Sequence, residues 1–393
     1  MDDSNIFDSE PGRAASSNAY LRECYKTLNI PVSTKNSWDP TQLPIITGNE
    51  GVMLDRTLGL SREKWTDFEH RIGPACTSRE PLTIDFLLKA AGSLMHLTEL
   101  FPYLKPSFIP MSRWLGECNQ ICHANKRLWK RIKEETATIP QSLQKLIGLG
   151  WSRAKVDRTV NVRDLLRTEV DADIVLATDA CGMSDELATD QHPAGLGAVV
   201  HKCRGGAIAA GTRAMELLPR DHPIATKPIA WLELFTSVLW ILQTCQRGWL
   251  CVIYTDNTNA EHWMRKYKAK PAYIGLMMRL ANFCRVRKVT LVVKRSDTEH
   301  ILADPLSRTY EDYEADWRAR AKEWKVPHDG PIVSFLWRDL WDQVREIEEE
   351  YGRFLFFRPV LGRVSVRGVT CFSCLDCRKP WGCISSPAPG RER

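Results

Sequence analysis

Between His262 and Arg295 the chain has no aspartate or glutamate, while ten lysines and arginines fall in that window. A stretch stripped of negative charge suits a phosphate backbone, and a solvated helix face beside a strand fits it equally well. The formal charge of the whole chain, +6 over 393 residues, is only mildly basic and says little about partners. No apolar run reaches the roughly 18 residues that a membrane span needs, so no membrane partner is expected. No secretory leader is expected either: the chain opens on the acidic "MDDSNIFDSE" rather than a basic start with an apolar core. Thirteen cysteines, odd in number and scattered, do not read as a disulfide framework. They fit free thiols in a reducing, intracellular compartment, either cytoplasm or nucleus.

What is present divides into segments, and the length allows two or three domains, each with a sizeable core. Residues 1–58 read as a short helix around Ala15–Leu28 followed by irregular, proline-marked chain. Residues 59–165 turn helical. "TIDFLLKAAGSLMHL" places Ile84, Leu87, Leu88, Ala91, Leu94 and Met95 on one face, with Thr83 as N-cap. "FPYLKPSFIP" is expected to break that helix, with further helices around Ser112–Glu135 and Pro140–Ile147. Residues 166–310 read as three strands, a helix, a strand, helices and a last strand: a mixed α/β domain. Residues 311–350 read as a charged, Trp-rich helical extension, and residues 351–393 as a Cys-containing, disordered tail.

Four acids stand out in the α/β segment. Asp179 and Asp256 end predicted strands in "LATDA" and "VIYTDNT", where α/β sheets build their sites. Glu233 is the one charge between Pro228 and Cys245, in a helix otherwise made of apolar and aromatic side chains. Asp304 sits in the apolar "ILADPLSR". A buried carboxylate must be protonated, paired or metal-bound. Taken singly, each acid can equally cap a helix or a turn. Converging, they would repel each other unless hard divalent cations such as Mg²⁺ or Mn²⁺ sat between them.

"TDA" with "GLGAVV" beyond it, then "LELF", "YTDNT" and "LADPLSR", resemble the ribonuclease H domain of retroelement reverse transcriptases. The wording is closest to DIRS-like retrotransposons of the tyrosine-recombinase group. The intervals agree too: 54 residues from Asp179 to Glu233, 23 to Asp256 and 48 to Asp304. The resemblance implies an α/β ribonuclease H-like fold, a mixed five-stranded sheet with helices, behind a mostly α thumb/connection-like region. It implies that Asp179, Glu233, Asp256 and Asp304 are the catalytic and metal-binding residues, holding two Mg²⁺ or Mn²⁺ ions. The implied activity is metal-dependent cleavage of RNA in RNA/DNA hybrids. One departure concerns the family's loop histidine. Lys294 stands in its place, and His300, nearer Asp304, reads as structural.

Upstream, "YLRECYKTLNIPVSTKNSWDPTQLPIITGNEGVMLD" resembles the end of a reverse-transcriptase palm, so the likeness spans about residues 1–310. Met1 with Asp2 and Asp3 resembles the end of the polymerase signature Tyr-x-Asp-Asp. The third palm acid and the fingers do not precede it, so no DNA synthesis by this chain alone is expected. A separate fingers-palm chain of the same element is the partner such a fragment would need. For the hybrid itself, Asn257 is a candidate donor to a 2′-hydroxyl, or equally a helix cap. Arg265, Lys266, Lys268 and Lys270, laced with Trp263 and Tyr267, are candidate phosphate contacts. Arg113, Lys126, Arg127, Lys130 and Arg131, with Trp114 and Trp129, either add to them or form a solvated face. Cys371, Cys374, Cys377 and Cys383 have ligand types that suit zinc, but their overlapping spacing leaves little loop between half-sites, and zinc is not favoured. Two other functions compete with the nuclease: an inactive retrotransposon remnant that only binds nucleic acid, and an integrase-like enzyme. Glu233, on the helix ahead of Asp256, argues against the last.

Overall fold

A computed structural model describes residues 57–116, 126–161, 167–183, 194–204, 207–308, 313–327, 332–334 and 336–351. It adds residue 23 and short stretches at 45–46, 49–52, 365–366 and 369–370. Asp2, Asp3, Cys371, Cys374, Cys377 and Cys383 lie outside the described residues, and so do the polymerase-signature and zinc readings.

The first unit contains a small antiparallel sheet that sequence patterning does not reveal. Strands β1 (Ile45–Ile46), β2 (Asn49–Val52), β3 (Thr57–Leu60) and β4 (Thr159–Asn161) lie in the order β1-β2-β3-β4. Two to four residues carry too little alternation to be read, and β3 finds its second partner about a hundred residues away. Helix α1 (Arg62–Thr77) starts at Ser61, whose hydroxyl accepts from the Lys64 N–H at 3.4 Å. Helix α2 (Ile84–Leu100) starts, as its pattern predicts, at Thr83, which accepts from the Phe86 N–H at 3.3 Å. Ile84, Leu87, Ala91 and Leu94 are buried, while Leu88 and Met95 flank the stripe half-buried.

The expected break at "FPYLKPSFIP" is shorter than its prolines suggest. Only Phe101 and a 3₁₀ turn (Pro102–Leu104) intervene before helix α3 (Lys105–Trp114). Pro106 falls in its first turn, where a missing N–H costs nothing, and Pro110 is carried inside. Helix α4 covers Lys126–Ile132. Helix α5 (Gln141–Asp157) runs well past the Ile147 end expected from sequence, burying Trp151 and Ala154.

The second unit is mixed α/β, built on a six-stranded sheet. Strands β5 (Ile174–Cys181), β6 (Gly195–Arg204) and β7 (Ala207–Leu217) form an antiparallel meander. Helix α6 (Ile229–Thr244) leads to β8 (Leu250–Thr255), which pairs parallel to β5. Helices α7 (Thr258–Lys266) and α8 (Ile274–Arg287) lead to β9 (Thr290–Arg295), parallel to β8. Then follow the one-turn helix α9 (Asp304–Ser307), helix α10 (Tyr313–Glu323), strand β10 (Ile332–Val333) and helix α11 (Trp337–Tyr351). The spatial order is β9-β8-β5-β6-β7-β10. Five strands were expected; the sixth, β10, is two residues long and joins the edge beside β7.

The extension expected beyond residue 310 is helical, and it is also part of this unit's core. Trp337, Leu340, Trp341 and Val344 pack in the cluster that contains α6, with Trp231 edge-on to Trp341 at 5.7 Å. Trp317 and Ala321 pack on the other side with Ala177, Val199, Leu302 and Leu306. The two units touch through Leu146, Ile274 and Met278, and through the Arg113 guanidinium, which donates to the Ala269 carbonyl at 2.6 Å. Among the described residues, no helix is long and apolar enough to cross a membrane.

Candidate metal centre

Strand alternation aims the first acid. Along β5, Ile174, Leu176 and Ala180 pack with α6, whereas Ala177 packs on the opposite side with Ile301, Leu302 and Leu306. Asp179, two residues beyond Ala177, therefore faces the α9 turn at the strand's end, and it is buried. Glu233 lies one turn into α6 and is also buried, and Asp256 directly follows β8. Carboxylate oxygens of Asp179, Glu233 and Asp256 all lie within 4.8 Å of one another. Three of the four predicted acids thus converge.

Asp304 is the fourth, and the structure accounts for its burial differently from the sequence reading, which invoked a metal ion. Arg320 Nη2 donates to Asp304 Oδ2 at 3.0 Å, and Arg308 Nη2 lies 2.7 Å from Oδ1 as an ion pair without hydrogen-bond alignment. The carboxylate stands beside the trio rather than in it. Ser307 ties the two together, because its hydroxyl donates to Asp179 Oδ2 and lies 3.0 Å from the Asp304 carbonyl. Two glycines make room for this turn. A Cβ at Gly197 would sit 2.5 Å from the Ala303 carbonyl oxygen and the Ser307 nitrogen, and one at Gly195 would strike the Ser307 carbonyl. That is the physical content of "GLG" in β6.

The electrostatics are those of crowded acids. Burial, with Asp256 and Asp304 adding repulsion, raises the Asp179 pKa to about 7 despite the Ser307 hydrogen bond. Burial also raises Glu233 well above the usual range, and Asp179 and Asp256 push the same way. Glu233 Oε2 is buried without a hydrogen-bond partner. Among the described residues, no lysine or arginine forms an ion pair with any of the three. Asp256 accepts from the Thr298 hydroxyl at 2.7 Å. A hard divalent cation fits this donor set: three oxygen ligands, excess negative charge and one orphaned oxygen.

The substrate candidates divide. Asn257 is the N-cap of α7, its side-chain oxygen accepting from the Asn259 and Ala260 N–H groups at 3.0 and 3.1 Å. The cap uses the oxygen, so any ligand contact falls to the amide nitrogen. Arg265 pairs with Glu261 at 3.0 Å, while Lys266, Lys268 and Lys270 are exposed. Lys105 of α3 joins them: its pKa is lowered by burial and then by the nearby Lys266 and Lys268 charges. Trp263 is buried, packed at 4.2 Å against a tilted Tyr273 ring, and does not offer a face to a base. In the helical unit Arg113 is spent on Ala269 and Trp114 is core, whereas Lys126, Arg127, Lys130 and Arg131 are exposed. If the exposed lysines track phosphates, replacing Lys266, Lys268 and Lys270 together by alanine reduces the slope of log binding constant against log salt by about 2–3. A fluorescence titration of labelled duplex across salt concentrations checks it.

Lys294, on the edge strand β9, ion-pairs with Glu169, and His300 faces Glu323 at 3.3 Å. Sequence reasoning missed Ser307, Thr298, Arg308 and Arg320. "DPLSR" does hold Ser307 and Arg308 at three and four residues from Asp304, a spacing that helical geometry could have exposed. Arg320 carries no such signal. Comparison with protein-family models and with curated proteins finds no match to this chain.

Proposed function

We propose that the chain is a retroelement-type ribonuclease H, a divalent-metal-dependent endonuclease that cuts the RNA strand of RNA/DNA hybrids. The observation that carries this reading is the convergence of Asp179, Glu233 and Asp256 from a strand, a helix and a strand end, within 4.8 Å. The likeness of "TDA", "LELF", "YTDNT" and "LADPLSR" to the ribonuclease H motifs supports it, as does the meander followed by two parallel strands.

Asp179, Glu233 and Asp256 would hold the ions, with Asp304 supplying further negative charge. Bound there, such ions supply activation of a water and stabilisation of the leaving oxygen of a phosphodiester. Ser307 fixes the rotamer of Asp179, and Thr298 fixes that of Asp256. The Asn257 amide, anchored through its cap, is placed next to Asp256 to donate to a 2′-hydroxyl, the group that distinguishes RNA from DNA. Lys266, Lys268 and Lys270 hold the backbone of the duplex.

The full chain, given labelled hybrid with Mg²⁺, is expected to cleave the RNA strand. Asp256→Asn is expected to lower the rate by about 10³-fold, since removing a ligand forfeits several kcal/mol of charge stabilisation. EDTA should stop the reaction. A second reading, an inactive remnant that only binds nucleic acid, draws support from the two arginines already paired with Asp304. Salt-sensitive hybrid binding without cleavage would favour it.

A further inference from the structure

Arg320 belongs to α10, outside every motif that suggested a function, and yet its half-buried guanidinium gathers the loop that carries Asp304. Its Nη1 donates to the Thr298 and Ile301 carbonyls, both at 2.9 Å, and its Nη2 donates to Asp304 Oδ2 at 3.0 Å. Asp316, one turn earlier on α10, holds it from behind, with contacts of 3.4 and 3.3 Å to Nε and Nη2. Arg308 closes on the other oxygen of Asp304 at 2.7 Å. The Arg320 side chain is 14% exposed and that of Arg308 is 52% exposed. One clamp is therefore built into the fold and the other is open to solvent.

We propose that Arg320 and Arg308 are tethered cations that occupy Asp304 in the resting protein. The trio of Asp179, Glu233 and Asp256 then takes one divalent ion tightly, and a second ion binds weakly because it competes with guanidinium charge for Asp304. Arg320 is a positioning residue, since it acts through Asp304 and the Thr298–Asp304 loop. This inference rests on the metal-site reading of the acid cluster. Its physical basis is that a full positive charge about 3 Å from a buried carboxylate oxygen opposes a second cation there, with water screening little of that opposition at Arg320 and more of it at the exposed Arg308.

The test is a Mn²⁺ titration of the full chain, free of nucleic acid, followed by calorimetry and by the electron paramagnetic resonance of free Mn²⁺. Wild type should show one tight and one weak site. Arg320→Ala should tighten the weak site about tenfold, Arg308→Ala several-fold, and Arg320→Lys, which keeps the charge, should leave it near wild type. Adding Asp304→Asn to either alanine variant should remove the gain. If Arg320→Ala does not fold, Arg308→Ala decides alone, because that side chain is half exposed. An unchanged or weaker second site in the alanine variants overturns the proposal while leaving the metal centre intact. A wild type that binds no Mn²⁺ overturns the metal centre itself, and this inference with it.

Discussion

Glu233→Gln is expected to raise the melting temperature of the metal-free protein at pH 8 by roughly 5–10 °C while abolishing its stabilisation by Mg²⁺. The native fold brings Asp179, Glu233 and Asp256 together, and burial disfavours ionisation of Asp179 and Glu233. Asp179 has a pKa of about 7 in the folded state against 3.8 for the unpaired group. A raised carboxyl pKa means the folded state prefers the proton. The associated stability is complete below the unfolded value and is lost as pH rises through about 7. Glu233 shifts in the same direction. At pH 8 the shift of Asp179 alone costs the metal-free protein on the order of 4 kcal/mol. A neutral isostere removes the burial penalty of the Glu233 charge and its repulsion of Asp179, roughly half of that cost, and each kcal/mol moves the midpoint of a domain this size by about 2–4 °C. Mg²⁺ reverses the ranking, because only wild type gains binding free energy from the ion. Thermal melts of both proteins, with and without Mg²⁺, check the crossing. A variant less stable than wild type in EDTA would contradict the crowding.

Ending the chain at residue 310 is expected to abolish cooperative folding of the α/β unit. The lost segment contributes Trp317, Ala321, Val326, Trp337, Leu340, Trp341 and Val344, all buried. Trp317 is 1% exposed and lies beneath the Arg213 guanidinium at 4.3 Å, while Arg213 grips Glu314 with two contacts of 2.9 Å. Truncating one buried tryptophan typically costs 3–5 kcal/mol, and a domain's whole stability is about 5–15 kcal/mol. Losing three tryptophans with their neighbours exceeds that reserve. Truncation would also strip Arg320 from Asp304. Circular dichroism melts of chains ending at 310 and at 351 separate the cases. A sharp, near-wild-type transition in the shorter chain would show that the extension is dispensable.

That second expectation marks where sequence reading fell short. A Trp-rich, charged stretch announces a helix but not the surface it covers, and β10, two residues long, has no period to detect. The site was more legible. Glu233 declared itself as one acid in an apolar helix, and Asp179 and Asp256 declared themselves as acids closing apolar strands. The order of strands and helices followed from the same patterns. Asp304 was the exception. Its burial was rightly read as demanding a partner, but Arg320 becomes that partner only when α10 folds back over the 298–304 loop. Asn257 was read from sequence as either a helix cap or a ligand donor, and the described contacts are those of the cap.

The central claim is that Asp179, Glu233 and Asp256 form a divalent-cation site. Anomalous scattering from a crystal of the full chain soaked in Mn²⁺ tests it most directly. The account predicts a peak in contact with all three carboxylates, absent from Glu233→Gln crystals treated alike. No peak among them at millimolar Mn²⁺, or one equally strong in the variant, would contradict it.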